Sequence, residues 1–196
     1  VTNIIKEKLM LFLNSASFEM NDPILGYDIG YFVFQKPFIE FVILYLLAIV
    51  IGITIYTVIY YIVSFNMFFD GVDRDTLKNS HLLKQLFTHI LAATVLIASY
   101  IFIKTQDVGL QKFLNLQDET SYSLWGAGLS DVTIKMWGYR ILSLIIIISV
   151  FLAIRYFKNG QTKKVLISLG VVPTYLVGMF IVLLGFQAIF VNQNEL

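Results

Sequence analysis

Four blocks without a formal charge constrain this chain more than any other feature: residues 41–69, 85–103, 141–154 and 165–194 contain no Asp, Glu, Lys or Arg. A hydrocarbon core about 30 Å thick takes roughly 20 apolar residues, each rising about 1.5 Å. Three blocks reach that length unaided, and the 14-residue block between Arg140 and Arg155 reaches it with its flanks. A water-soluble domain of 196 residues could not hide so much apolar surface when 58% of the chain is hydrophobic and only 14% charged. The expected fold class is an all-α membrane protein, a bundle of four transmembrane helices with interfacial helices and irregular outer loops.

The ends of the blocks place the spans. Pro37 suits a first helical turn, where its missing N–H has no partner to lose, so the first span is expected over about 37–65. Asn79 and Ser80 can cap a second helix whose membrane portion covers about 82–103, bordered by Lys84 and Lys104. The third, about 137–157, is short enough that Arg140 and Arg155 are expected to extend toward water, with Trp137, Tyr139, Tyr156 and Phe157 at the interfaces. The fourth, about 165–190, carries Pro173, which removes the bond to the Leu169 carbonyl and predicts a bend. Residues 1–36 form an outer unit of interfacial helix and Asp-Pro/Gly loop, and residues 37–196 the transmembrane region.

Basic residues set the expected orientation. The link from Arg155 to Val165 holds Arg155, Lys158, Lys163 and Lys164 and no acid, a positive-inside signal. Alternation puts the first link inside too, where Arg74, Lys78 and Lys84 oppose Asp70, Asp73 and Asp75. Both termini are then extracytoplasmic in a multi-pass protein of the cell membrane. On the outer side Ile4, Ile5, Leu9, Phe12 and Leu13 repeat at helical spacing, as in an interfacial helix. Leu110, Phe113 and Leu114 form a short apolar face that fits a second one, followed by a turn at Gly126, Ala127 and Gly128. Val1 follows no Met or leader, and Leu196 comes soon after an apolar block, so the chain is expected to be a piece of a longer polypeptide.

The residues Phe12-Leu13-Asn14-Ser15-Ala16-Ser17-Phe18, followed by Asn21-Asp22-Pro23-Ile24-Leu25-Gly26-Tyr27-Asp28-Ile29-Gly30 and continuing to Phe38, closely resemble a signature of uncharacterised protein family 0182, large bacterial membrane proteins. Gly126-Ala127-Gly128-Leu129-Ser130-Asp131-Val132 and Asn192-Gln193-Asn194-Glu195-Leu196 resemble two further blocks, departing from the usual pattern at Ser130, at Gln193 and at Met136-Trp137. The resemblance implies a membrane region of about seven helices, this chain being the later four, followed by a large external domain. It carries no established activity and no catalytic residues to transfer.

Candidate residues therefore rest on chemistry alone. Lys78, His81, Gln85, Thr88, His89 and Ser99 fall within about 100° on the second helix, a stripe that should face protein or water. His89 places an ionisable side chain inside a span, where such groups often mark proton or ion paths, yet it lies only five residues past Lys84, a depth of about 7.5 Å that favours a hydrogen-bonded packing or interfacial role. Gly170, Thr174, Gly178 and Gly185 make a small-residue stripe on the fourth span that lets a neighbouring backbone approach. Asp22, Asp28, Glu40, Asp118, Glu119, Asp131 and Glu195 could supply oxygen ligands to a hard cation. The simpler expectation is that Asp22 sets the turn at Pro23, Asp28 fixes the loop at Gly26–Gly30, Glu40 begins the first span and Ser130 or Asp131 caps the approach to the third. Asp70-Gly71-Val72-Asp73-Arg74-Asp75 lacks the glycine and closing glutamate of a calcium loop.

The candidates kept are His89, Gln85, Arg140, Asp22, Asp28 and Asp131, with no catalytic, cofactor or metal residue assigned. A net charge of +1 offers no field for nucleic acid, and without cysteine there is no disulfide or thiol chemistry. No phosphate-binding glycine loop, His-Glu-x-x-His or Gly-x-Ser-x-Gly occurs, which argues against an enzyme without excluding one. The expected function is a membrane anchor and assembly module of a larger envelope protein, without a cofactor. Its partners would be the lipid bilayer, the remaining helices and external domain, and further subunits in a homo- or hetero-oligomer. The alternatives are a transporter or exporter of a lipid or envelope component, and an enzyme acting on a membrane-bound substrate.

Overall fold

The computed structural model describes residues 2–68, 81–110, 112–114, 123–125 and 131–186. The helices are α1 (Thr2–Leu13), α2 (Lys36–Phe68), α3 (His81–Lys104), α4 (Trp137–Lys158) and α5 (Thr162–Phe186). At 33, 24, 22 and 25 residues, α2 to α5 are about 50, 36, 33 and 38 Å long, enough to cross the hydrocarbon core. The chain is an all-α membrane protein built on these four helices.

Their arrangement is a row in sequence order. α2 packs on α3, α3 on α4 and α4 on α5, and α1 leans on the start of α2. No helix is enclosed by the others, so broad apolar faces remain open: Tyr56 on α2 is 70% exposed and Leu166 on α5 72%. In water such faces would collapse, whereas lipid tails are as apolar as the side chains they cover. Four hydroxyls within the spans return to the backbone of the preceding turn, Thr54 to Val50, Thr57 to Ile53, Thr94 to Ile90 and Ser168 to Lys164, so these leave no open donor in a solvent without water.

The link between α4 and α5 closes through a Schellman motif. Gly160 adopts φ +71, its N–H bonds the Phe157 carbonyl, and the Gln161 N–H bonds the Tyr156 carbonyl at 3.0 Å. A side chain at Gly160 would be strained in that conformation, so the tight antiparallel return rests on this glycine. α5 then runs through Pro173 as one helix, with the Thr174 hydroxyl bonded to the Gly170 carbonyl at 2.8 Å in the same turn.

The two helices that enter the row from the opposite end, α2 and α4, both begin in π turns, Tyr31–Gln35 and Asp131–Met136. A π turn holds more residues than an α turn and so re-aims the side chains before it relative to those after. Between α3 and α4 the chain forms a 3₁₀ turn, Thr105–Leu110, and an antiparallel pair, β1 (Lys112–Leu114) with β2 (Ser123–Trp125). This corrects the expected interfacial helix: Phe113 and Leu114 lie on β1, because three apolar residues are too few to separate a helical period from a strand period, and strand pairing satisfies the backbone. We call this the hairpin end, and the end holding the α4–α5 return the link end.

Candidate functional site

The hairpin end carries a charge network that joins α2 to α3. The Lys36 ammonium donates to Glu40 Oε1 at 2.6 Å, one helical turn on, and also to Asp107 Oδ1 across the helix gap. Lys104 pairs with Glu40 Oε2 at 3.0 Å and with Asp107 Oδ2 at 3.2 Å. Two ammonium groups thus share two carboxylates, and the group is neutral. Lys36 is the inner member, its side chain 6% exposed against 43% for Lys104. A buried ammonium needs this double pairing, because one carboxylate in a partly dry site seldom offsets the cost of removing an ion from water.

Neutral and aromatic groups extend the network on both sides. The Tyr31 hydroxyl, aimed by the first π turn, donates to Gln106 Oε1 at 2.9 Å. Arg140 Nε donates to Thr105 Oγ1 at 3.3 Å, and its guanidinium lies 5.5 Å from the Phe102 ring centroid and 5.2 Å from that of Trp137. Arg140 therefore turns toward α3 between two aromatic faces, where the sequence predicts a side chain extended to water.

Asp28 and Asp22 organise the loop before α2. Asp28 accepts from the Ser17 hydroxyl at 2.6 Å and from the N–H groups of Phe18, Glu19 and Gly30. Ser17 first, and then those amides, hold its carboxyl below the ordinary value of 3.8. Four donors fill the acceptor positions of two oxygens, which leaves Asp28 nothing to offer a cation. Asp22 Oδ1 accepts from Ile24 N and Leu25 N around Pro23, with Gly26 at φ +72 finishing the turn. Gly30 permits the closure: a Cβ there would lie 2.2 Å from the Ala16 carbonyl oxygen. Stacking of Phe12 on Phe38, with centroids 4.6 Å apart, ties α1 to the start of α2.

The remaining sequence candidates do not converge with these. His81, Gln85 and Thr88 are exposed on α3, and His89 is half-buried with Nδ1 shut off from solvent and without a hydrogen-bond partner among the described residues. The stripe is thus exposed at His81, Gln85 and Thr88 and part-buried at His89 and Ser99. Asp131 opens the second π turn, while the N-cap position of α4 is Met136, which makes no side-chain cap bond. The π turn carries the helical run back to Asp131, so the described start of that run falls at one of the two positions where a cap is expected from sequence. Among the described residues no three His, Asp or Glu side chains gather as metal ligands. Asn79 and Ser80, the acidic first link, Lys78, Asp118, Glu119, the Gly126–Gly128 turn, Ser130, residues 187–190 of the fourth span and Glu195 lie outside the described residues.

On α5 the face turned to α4 is not the small-residue stripe. The Tyr175 hydroxyl bonds the Gly138 carbonyl at 3.0 Å, Met179 sits where a Cβ on Gly138 would fall, and the Ser149 hydroxyl bonds the Ser168 carbonyl. Gly170, Gly178 and Gly185 lie roughly a third of a turn away, and a Cβ on any of them meets nothing within 4 Å. The charge network was the main feature missed from sequence: Lys36–Glu40 and Lys104–Asp107 are each spaced for one helical turn, a visible signal, but their cross-pairing depends on helix rotation.

The sequence model described as "Uncharacterised protein family (UPF0182)" matches residues 4–196. A UPF0182 protein of Caldicellulosiruptor saccharolyticus is 29% identical over 193 residues, covering 96% of this chain and 20% of that protein. UPF0182 proteins of Clostridium novyi and Clostridium tetani are 27% and 24% identical over 96% of this chain and 21% of their own lengths. The chain spans about a fifth of the length of these curated relatives. No solved structure matches.

Proposed function

This chain belongs to the uncharacterised protein family UPF0182, and we propose that it serves there as a multi-pass membrane anchor and assembly module of a larger envelope protein. The observation that carries this reading is the open row: among the described residues the four membrane-length helices pack in sequence order, and a Cβ on Gly170, Gly178 or Gly185 of α5 would meet nothing within 4 Å. Lipid can cover Leu, Ile and Phe, but a face of Gly170, Thr174, Gly178 and Gly185 is shallow and suits the close approach of another helix backbone. Glu40 and Asp107 meet at the hairpin end, yet both are held by lysines, an arrangement for joining α2 to α3 rather than for moving protons. We place the basic link end in the cytoplasm and both ends of this segment on the extracytoplasmic side of the cell membrane, following the density of Arg155, Lys158, Lys163 and Lys164.

The test uses the full-length protein in native membranes. Gly170→Leu with Gly178→Leu is expected to leave membrane insertion and helix content intact while subunits cross-linked to the wild type are lost. Unchanged cross-linking and co-purification would overturn the assembly reading. Orientation is checked separately with cysteines placed at Gln161 and Asn14: an impermeant thiol reagent added outside should label the second and spare the first.

A further inference from the structure

We propose that the link end holds the phosphate of an anionic phospholipid between Lys84 and Lys158. A recess of about 540 Å³ opens there between the start of α3 and the α4–α5 return, lined by Lys84, Phe87, Phe157, Lys158 and Thr162. Its volume falls within the range of small-molecule sites. Its chemistry is divided: two ammonium groups and a hydroxyl on one part, two phenyl rings in edge contact at 5.5 Å on the other. Lys158 Nζ stands 5.6 Å from the Phe87 centroid, so one ammonium is already turned over the aromatic wall. A ligand that fits both parts carries a compact anion joined to an apolar body.

The charges of this end lack internal compensation. Among the described residues all four ion pairs lie at the hairpin end, and Lys84, Arg155, Lys158, Lys163 and Lys164 join none of them. Counting Asp70, Asp73 and Asp75, the two links still carry seven basic residues against three acidic. Lysine serves phosphate as a compact point charge with rotatable donors, and basic pockets between helices at a membrane boundary attract anionic headgroups. A free phosphate would share the ammonium contacts. The lipid is chosen because Lys84 borders one uncharged span and Lys158 lies one turn beyond Arg155, which closes the other, so both stand where a headgroup lies and where Phe87 and Phe157 can meet its glycerol and first methylenes.

The experiment uses full-length protein reconstituted with a mixture of phosphatidylglycerol and phosphatidylcholine, extracted into neutral detergent and analysed for retained lipid by native mass spectrometry. Wild type should retain phosphatidylglycerol in preference to phosphatidylcholine. Lys84→Gln with Lys158→Gln should weaken retention about 25-fold, about fivefold for each lysine. Lys84→Arg with Lys158→Arg should keep it, and Lys6→Gln with Lys8→Gln at the hairpin end should change nothing. The proposal is overturned if the Gln pair retains phosphatidylglycerol as wild type does, or if both lipids are retained equally. It is also overturned if inorganic phosphate displaces the lipid as effectively as short-chain phosphatidylglycerol does. Circular dichroism and elution volume of the Gln pair should match wild type, and if they do not, loss of lipid from each single Gln variant decides.

Discussion

The two ends of the helix row face the same kind of boundary, apolar span against water, and treat their charges in opposite ways. At the hairpin end the ammonium groups of Lys36 and Lys104 face carboxylates supplied by α2 and the turn after α3, and Asp28 is closed by Ser17 and three amides. At the link end the lysines face a recess and one another's aromatic neighbours. Charges satisfied within the chain serve the fold; charges left to be satisfied from outside serve whatever arrives. The comparison can be broken by single substitutions, since it says where a lost charge should cost stability and where it should not.

The largest effect is expected at Lys36. Lys36→Met leaves Glu40, whose side chain is 16% exposed, with Lys104 alone, and an uncompensated partly buried carboxylate costs about 3–5 kcal/mol. Lys104→Met removes the outer, 43% exposed partner and should cost no more than about 1 kcal/mol. Thermal unfolding of the full-length protein in detergent, with helicity as the signal, separates the two. Equal losses would show that burial does not distinguish the lysines and that the network is a surface feature.

This asymmetry marks the limit of what the sequence discloses. Three spans were legible because absence of charge over 19 or more residues has one cheap physical explanation, the 14-residue third block was legible with its flanks, and the ends of α2 to α4 fall close to the charged and aromatic residues that bracket those blocks. Lys36 and Glu40 were legible as a helical pair, and Lys104 and Asp107 as another. Which pairs meet across the gap was not, since it depends on the rotation of α2 against α3 and on the 3₁₀ turn that carries Asp107 back toward Lys36. Likewise the stripe of glycines on α5 is visible by spacing, whereas Ser168, Tyr175 and Met179 became the face toward α4 because Gly138 lets Met179 approach it.

Next in size is Gly30→Ala. The added methyl would sit 2.2 Å from the Ala16 carbonyl oxygen, a backbone atom that cannot swing away as a side chain end can, so the loop must open and release Asp28. Overpacking of this kind costs about 1–3 kcal/mol. Hydrogen exchange of the Phe18, Glu19 and Gly30 amides should accelerate while α3 to α5 stay protected, and unchanged exchange would detach the loop from its aspartate.

Asp28→Asn is milder and carries a pH signature. A carboxyl whose folded value lies below the ordinary 3.8 binds its proton less readily folded than unfolded, so its contribution to stability is present above that ordinary value and is lost as pH falls through the lowered one. Protection of the Glu19 and Gly30 amides in the wild type should therefore decline only in that acid window, whereas in Asp28→Asn it should be weaker at neutral pH and free of that step. A step retained by the Asn variant would assign it to another group.

The smallest expected effect is the one that most sharpens the contrast. Lys158→Gln removes a charge with no ion pair among the described residues, keeps most of the stem, and loses an ammonium that lies over Phe87. An exposed change of this kind stays within about 0.5 kcal/mol of wild type, and in detergent without anionic lipid the unfolding midpoint should hardly move. Adding phosphatidylglycerol should raise the midpoint of the wild type more than that of Lys158→Gln, because a ligand stabilises only the state that binds it. A Lys158→Gln protein already destabilised without lipid would place Lys158 with Lys36 as a charge that serves the fold, and the two ends would then differ in geometry but not in purpose.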